Sequence, residues 1–249
     1  MNKLMTITTD FGDQLAAAQL KAVLAGLGFD GLVIENYSVT AFSIIEGSFS
    51  LALVSRFSPK GTIHVGVVDP GVGSNRRGII IKTDKSWFVG PDNGLLFQAA
   101  ILEKIQHAWK IKELLVSKNV SPTFHGRDVF IKAAAYLSLG KKPEDFGSTK
   151  IPTKSLVKLS FKTGQVLHID SYGNIKLHCL KKIYSHKKLI IKTRKNIFTV
   201  PLVKTFSDVP KGMPLAFLGS SQTLELGVNL KRADKFFGVK QGDILGIMI

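Results

Sequence analysis

The sequence predicts an α/β fold: an N-terminal domain with a mostly parallel sheet carrying helices on both faces, then a smaller C-terminal all-β barrel domain. Three observations carry this. Through the first 150 residues, strand-like and helix-like runs alternate, as they do when crossover helices join parallel strands. Beyond Lys141-Lys142-Pro143 the texture changes to short β-runs with no long helical pattern. The charge changes with it. Of a net +16, residues 150–249 hold 18 Lys/Arg against 5 Asp/Glu, whereas residues 1–149 hold 16 against 13. The domains are expected at 1–150 and 151–249, with the boundary near residues 145–155.

In order, Leu4 to Thr9 is a β-rich run that ends at Asp10-Phe11-Gly12. Leu15 to Leu27 is Ala/Leu-rich and helical, closed by Gly28, and Gly31 to Tyr37 is a second strand. Ile44 to Phe57 reads as a helix stopped by Ser58-Pro59. Ile63 to Val68 is apolar apart from His64 and Gly66, the pattern of a strand buried on both faces. Gly78 to Lys82 and Trp87 to Val89 add short strands; Leu95 to Ile105 and Asp128 to Leu139 look helical. In the second half, β-runs are expected at Gln165 to Ile169, Lys188 to Lys192, Ile197 to Val203, Leu215 to Leu218 and Asp243 to Ile249, with turns at Gly173-Asn174 and Lys211-Gly212.

Composition excludes several classes. Hydrophobic residues make up 45%, enough for a sizeable core. No apolar run reaches the roughly 18 to 20 residues of a membrane span. Met1 to Thr9 lacks the long apolar stretch of a secretory signal, and Cys179 is the only cysteine, so a reducing cytoplasmic setting is expected. One cysteine and scattered histidines cannot make a zinc site of the usual spacing. The densest basic stretch, Lys181 to Lys195, holds seven basic residues in fifteen, interleaved with Ile183, Leu189, Ile190 and Ile191. It reads as strands with a solvated lysine face. A polyanion-binding role for this half is the alternative, and its aromatic stacking partners are thin, only Tyr184 and His186 in that run.

Three polar clusters fall at expected strand ends, where parallel sheets bind ligands. Asp10 directly follows the first strand; it can accept from a ribose diol or cap the next helix. Val68-Asp69-Pro70-Gly71-Val72-Gly73 is a tight loop, with Arg76 placed to return and pair with Asp69. It is either a functional loop or a turn with a structural ion pair, and it lacks a dinucleotide or P-loop fingerprint. Thr123-Phe124-His125-Gly126-Arg127-Asp128 opens a helix, and His125 is a site residue or a core histidine. No serine lies in a nucleophile elbow, and Cys179 has no assigned base, so covalent catalysis is poorly supported.

Together these clusters resemble the S-adenosylmethionine (SAM) hydroxide adenosyltransferases, relatives of the enzymes that fluorinate and chlorinate SAM. The resemblance runs nearly end to end: Thr8 to Gly12, Val67 to Gly73 with Arg76, Phe88 to Leu95, Phe124 to Asp128, Asp170 to Asn174, and Gly219-Ser220-Ser221 through Leu224-Glu225 to Asn229. It implies an α/β domain joined to a β-barrel. It also implies a homotrimer with sites between the α/β domain of one subunit and the barrel of the next. The implied reaction is attack of water or hydroxide on the ribose 5′-carbon of SAM, giving adenosine and L-methionine with no metal or other cofactor; some members favour the R epimer at sulfur. Asp69, Arg76 and His125 match the family's water-handling triad, which the halogenating branch lacks, so a halogenase is disfavoured. Asp10 matches the ribose-diol carboxylate and Phe42 an aromatic against the ligand. Asp170 and Asn174 match the methionine end, and Ser220, Glu225 and Val228 the adenine. After Gly12 the family usually has another Asp and an aromatic; here the run is Asp13-Gln14-Leu15-Ala16, one residue shorter.

Overall fold

The computed structural model describes residues 3–12, 14–179 and 186–249. By internal contacts the chain divides into two compact units, one ending at Leu159 and the other beginning at Ser160.

The first unit is built on a seven-stranded sheet. Its strands are β1 (Leu4–Thr9), β2 (Leu32–Asn36), β3 (Ile63–Val67), β4 (Gly78–Thr83), β5 (Trp87–Pro91), β6 (Ile105–Lys110) and β7 (Thr149–Ile151), in the order β2-β1-β3-β5-β4-β6-β7. The β1/β2, β1/β3 and β3/β5 pairs are parallel, but β4/β5, β4/β6 and β6/β7 are antiparallel. The sheet is therefore mixed, not mostly parallel as expected. The reason lies in two short strands that sequence pattern did not reveal. The expected helix Leu95 to Ile105 shortens to Phe97–Leu102, Lys104 takes a left-handed φ of 61°, and the chain leaves as β6. With β4 turning back beside β5, β6 pairing with β4 and β7 adding at the edge, half of the sheet is antiparallel.

Helices α1 (Gln14–Gly26), α2 (Ile44–Phe57), α3 (Phe97–Leu102), α4 (Glu113–Val116) and α5 (Ile131–Ser138) accompany this sheet. Strand alternation divides the apolar residues between two faces. Met5, Ile7, Val65, Ile80 and Val89 join Leu20, Leu24 and Ile131 in one cluster; Ile79, Ile81 and Phe88 join Leu51, Ala99 and Ala100 in the other. The faces are thus covered by α1 with α5 and by α2 with α3. Gly90 lets β3 and β5 approach, since a Cβ there would lie 2.2 Å from the Gly66 carbonyl oxygen.

The second unit contains two antiparallel sheets. One has the order β12-β13-β9-β8, from β8 (Val166–Ile169), β9 (Ile175–Leu177), β12 (Pro214–Leu218) and β13 (Leu224–Val228). The other has the order β11-β10-β14, from β10 (Lys188–Lys192), β11 (Ile197–Pro201) and β14 (Gly246–Met248). They share one core, containing Val166, Ile175, Leu189, Ile191, Leu224 and Leu226. Isolated bridges at Leu202–Ala216 and Gln165–Ile244 join them, but among the described residues no continuous ladder closes them into a barrel. A short helix, α6 (Ala233–Phe237), follows β13. Of the basic run, Lys181, Lys182, Ile183 and Tyr184 lie outside the described residues. In β10 the reading of a solvated face is visible: Leu189 and Ile191 are buried while Lys188 and Lys192 are exposed.

His64, the one polar side chain of β3, is fully buried. Its Nδ1 lies 2.7 Å from Thr6 Oγ1 on β1, and its ring stacks on Phe88. Burial, aided by the Lys85 charge, pushes its pKa down to about 3. The unfolded chain binds a proton on this residue below about 6.5, and the folded chain does so only near 3. The stabilisation is therefore complete above pH 6.5 and is lost as pH falls, by about 1.4 kcal/mol per unit. Urea unfolding at pH 7 and pH 5 is expected to show wild type losing about 2 kcal/mol more than His64→Gln over that interval. Equal losses would mean that His64 is not held neutral.

Candidate active site

Strands β1 and β3 run parallel, so their carboxyl ends meet at one edge of the sheet. Asp10 follows β1 directly, and Asp69 lies two residues beyond β3. The segment Thr123-Phe124-His125-Gly126 lies beside them. A π-helical turn over Gly126–Phe130 starts straight after His125 and runs into α5. With Phe11, Phe42, Val67 and Val72, these groups enclose a cavity of about 290 Å³.

The Asp69 loop returns as its glycines suggest. Val72 N–H donates to the Asp69 carbonyl and Ser74 N–H to that of Gly71. Gly73, at φ 78°, sits so close to the Pro122 carbonyl that a Cβ would be 2.7 Å from its oxygen. The loop thereby docks on the segment leading to His125. Arg76 comes back onto Asp69 with Nε at 3.0 and 2.9 Å from the two carboxylate oxygens and Nη2 at 2.6 Å from Oδ2. This is a charge-assisted fork between side chains that are 10% and 6% exposed. The second Nη2 hydrogen points to His125 Nδ1, 2.7 Å away, and Nη1 reaches Glu113 Oε1 at 3.4 Å. The guanidinium also lies over the Phe130 ring, its carbon 5.1 Å from the ring centroid.

Asp10 Oδ2 accepts from the Phe42 N–H at 2.7 Å. Phe42 is 73% exposed and has φ 65°. The turn around it is tied at both ends. Thr40 N–H donates to the buried Glu46 carboxylate, and Ser43 caps α2 by accepting from the Glu46 N–H.

The remaining expected site residues belong to the second unit. Asp170 organises the turn between β8 and β9, accepting from Tyr172 N–H, Asn174 N–H and Asn174 Nδ2 at 3.0, 2.9 and 3.1 Å. Asn174 and Val228 line a further cavity of about 670 Å³ with Tyr172, Phe206 and Arg232. Glu225 is buried, paired with Lys176 Nζ at 2.8 Å, and accepts from Ser221 Oγ at 3.1 Å; Ser220 is exposed. The expected residues thus fall into two groups, five in the first unit and five in the second. Among the described residues no group of three His, Cys, Asp or Glu is spaced to hold a metal ion, and no helix is long and apolar enough to cross a membrane.

The model of the SAM hydroxide adenosyltransferase N-terminal domain matches residues 5–147, and that of the C-terminal domain matches residues 164–245. The chain belongs to this family. An (R)-S-adenosyl-L-methionine hydrolase of Thermus thermophilus is 32% identical, over 94% of this chain and 95% of its own. One from Salinispora tropica is 33% identical, over 98% and 97%. The crystal structure of an uncharacterized conserved protein from Thermotoga maritima superimposes with a TM-score of 0.89 at 29% identity, covering 98% of this chain and all of that one. A fluorinase of Actinoplanes is more distant, at 20% identity over 97% and 96% of the two chains.

Within this SAM hydroxide adenosyltransferase chain, two residues of the cluster escape sequence reading. Asn93 sits in the polar turn between β5 and α3. Its Nδ2 donates to the Val68 carbonyl at 2.8 Å and its Oδ1 accepts from Leu95 N–H, so it fixes the backbone just before Asp69. Glu113 stands at the start of α4, three residues past β6. An acid at the exit of a strand is a usable signal, but only once β6 itself is recognised.

The left-handed backbone of Phe42 gives a test. An L side chain in this region costs about 1–2 kcal/mol relative to glycine. Since Phe42 buries little, Phe42→Gly is expected to raise unfolding stability by about 1 kcal/mol in urea. A loss of stability would show that the Phe42 side chain, rather than Asp10, holds the turn.

Proposed function

We propose that this protein hydrolyses S-adenosyl-L-methionine, in its R-sulfonium form, to adenosine and L-methionine. The observation that carries the proposal is the buried Asp69–Arg76–His125 arrangement, whose Asp69 and His125 line the same cavity as Asp10. Water attacks the ribose 5′-carbon, the C–S bond breaks with its electron pair going to sulfur, and the attacking oxygen keeps one proton as the adenosine 5′-hydroxyl and releases the other to Asp69. The sulfonium charge vanishes in this step, so a cavity walled by Phe11, Phe42, Val67 and Phe124 favours the transition state over the charged substrate.

The nucleophile needs orientation more than basicity. An ordinary carboxylate is a weak base towards water, so Asp69 orients the water and accepts its proton late. Arg76 holds the Asp69 carboxylate in one orientation. With its Nδ1 accepting from Arg76, neutral His125 carries its proton on Nε2 and serves as a hydrogen-bond donor. Two carboxylates, Asp69 and Glu113, against one guanidinium leave the cluster with an excess negative charge, which suits a cationic substrate and opposes entry of a halide ion.

Asp10 takes the ribose diol beside Phe42. In the second unit Asp170 and Asn174 take the methionine end, and Ser220, Glu225 and Val228 take the adenine. The proposal includes closure of the second unit's two sheets into a barrel, a homotrimer with each site shared between neighbouring subunits, and a cytoplasmic location. The outward Leu32 and Ile34 of edge strand β2, 61% and 45% exposed, support an assembly that covers them.

Incubation with each SAM epimer in EDTA-treated buffer, followed by chromatography, is expected to yield adenosine and methionine from the R epimer. Asp69→Asn is expected to lose roughly 10² to 10⁴-fold in turnover while still binding adenosine. Arg76→Lys is also damaging, because an ammonium cannot reproduce the fork. Asp10→Asn instead weakens adenosine binding. Near-normal turnover by Asp69→Asn would make Asp69 a structural loop residue and remove the mechanism. Light scattering is expected to give three times the 27.2 kDa chain mass; a fully active monomer would refute the shared site.

A further inference from the structure

Arg76 is held on two sides. One edge of the guanidinium, Nε and Nη2, is committed to Asp69, and Nη1 reaches Glu113 Oε1 at 3.4 Å on another side. Glu113 Oε1 also lies 3.3 Å from His125 Nδ1. This ring nitrogen therefore has two neighbours with opposite demands. A proton on Nδ1 could be donated to Glu113. A bare Nδ1 can accept from Arg76 Nη2, which is much closer, at 2.7 Å. At that separation two hydrogens cannot face one another, so Nδ1 is the acceptor and the ring proton resides on Nε2.

We propose that Glu113 is a positioning residue that acts through Arg76 to hold His125 in this tautomer. Without Glu113, Asp69 fixes one edge of the guanidinium and leaves it free to pivot about that edge. A small pivot withdraws Nη2 from Nδ1, and His125 is then released to either tautomer. With Glu113 in place, a planar group contacts three partners and has one orientation. Its 30% exposed carboxylate keeps water contact, so the anchor adds a second negative charge without full desolvation. The consequence for catalysis rests on the hydrolase reading, since His125 is useful only as a correctly protonated donor near the attacking water. The consequence for the tautomer does not.

The experiment combines kinetics with ¹⁵N NMR of the histidine rings in the intact, ligand-free protein, with His125 assigned by comparison with His125→Gln. Wild type is expected to show His125 protonated at Nε2 alone. Glu113→Gln is expected to show a mixture of tautomers. Its turnover of SAM falls on the order of 10- to 10²-fold with KM and adenosine affinity unchanged, as for a misplaced group outside the binding surface. If Glu113→Gln does not fold, Glu113→Asp, which keeps the charge but withdraws its reach, is expected to show the same tautomer mixture. A single Nε2 tautomer with unchanged turnover in the folded variants would overturn the inference. So would a loss confined to KM. If wild type fails to cleave SAM while the variant still mixes its tautomers, the hydrolase reading falls and the role of Glu113 stands.

Discussion

A guanidinium removed from water has to be paired, and its geometry then dictates where everything around it goes. Arg76 is that group here. Breaking a buried pair by deleting one partner costs about 3–5 kcal/mol, so the loop carrying Arg76 cannot settle with the cation elsewhere. The planar fork accepts one orientation against Asp69, which fixes Nη2 towards His125 and Nη1 towards Glu113. The Phe130 ring closes its face. Three stretches distant in sequence are thereby registered on one side chain. The β3 exit and the loop after it, the β6 exit and the approach to α5 converge at one edge of the sheet.

Arg77 shows how narrow this arrangement is. Its side chain turns to Asp92, which also accepts from the Val157 N–H, and so ties the β5 exit to the end of the first unit. Two adjacent arginines therefore serve different ends, one the cavity and one the scaffold. The division is one of partners: just before β4 begins at Gly78, Arg76 reaches Asp69 and Arg77 reaches Asp92.

The parallel half of the sheet was legible because its β-rich runs alternate with helical ones, with β1 stopping at Asp10 and β3 almost purely apolar. Asp10 and Asp69 stand where such runs end and His125 stands just before a helix begins, which is why the sequence marks all three. The antiparallel half was not legible. Ile105–Lys110 contains Gln106, His107 and Lys110 and lies against a helical-looking run, so nothing in its composition separates it from the end of α3. Losing β6 concealed Glu113 and turned a mixed sheet into an apparently parallel one. In the second unit β9 has only three residues and follows a tight turn, too short for alternation to register. The commitment of Asp170 to its own turn is equally invisible in sequence, because an aspartate that binds a ligand and one that builds a loop look alike before the backbone is placed.

The contact between Gly73 and the Pro122 carbonyl carries a lesson for protein engineering. It brings residues 69–76 and 120–126 together backbone to backbone, so that the two form one cassette. Its length is fixed far more tightly than its composition, because a single inserted residue would carry the guanidinium off its carboxylate. Chimeras that exchange one half of the cassette without the other join mismatched loops, and exchanging both halves still leaves Glu113 and Phe130, the remaining partners of Arg76, to be matched.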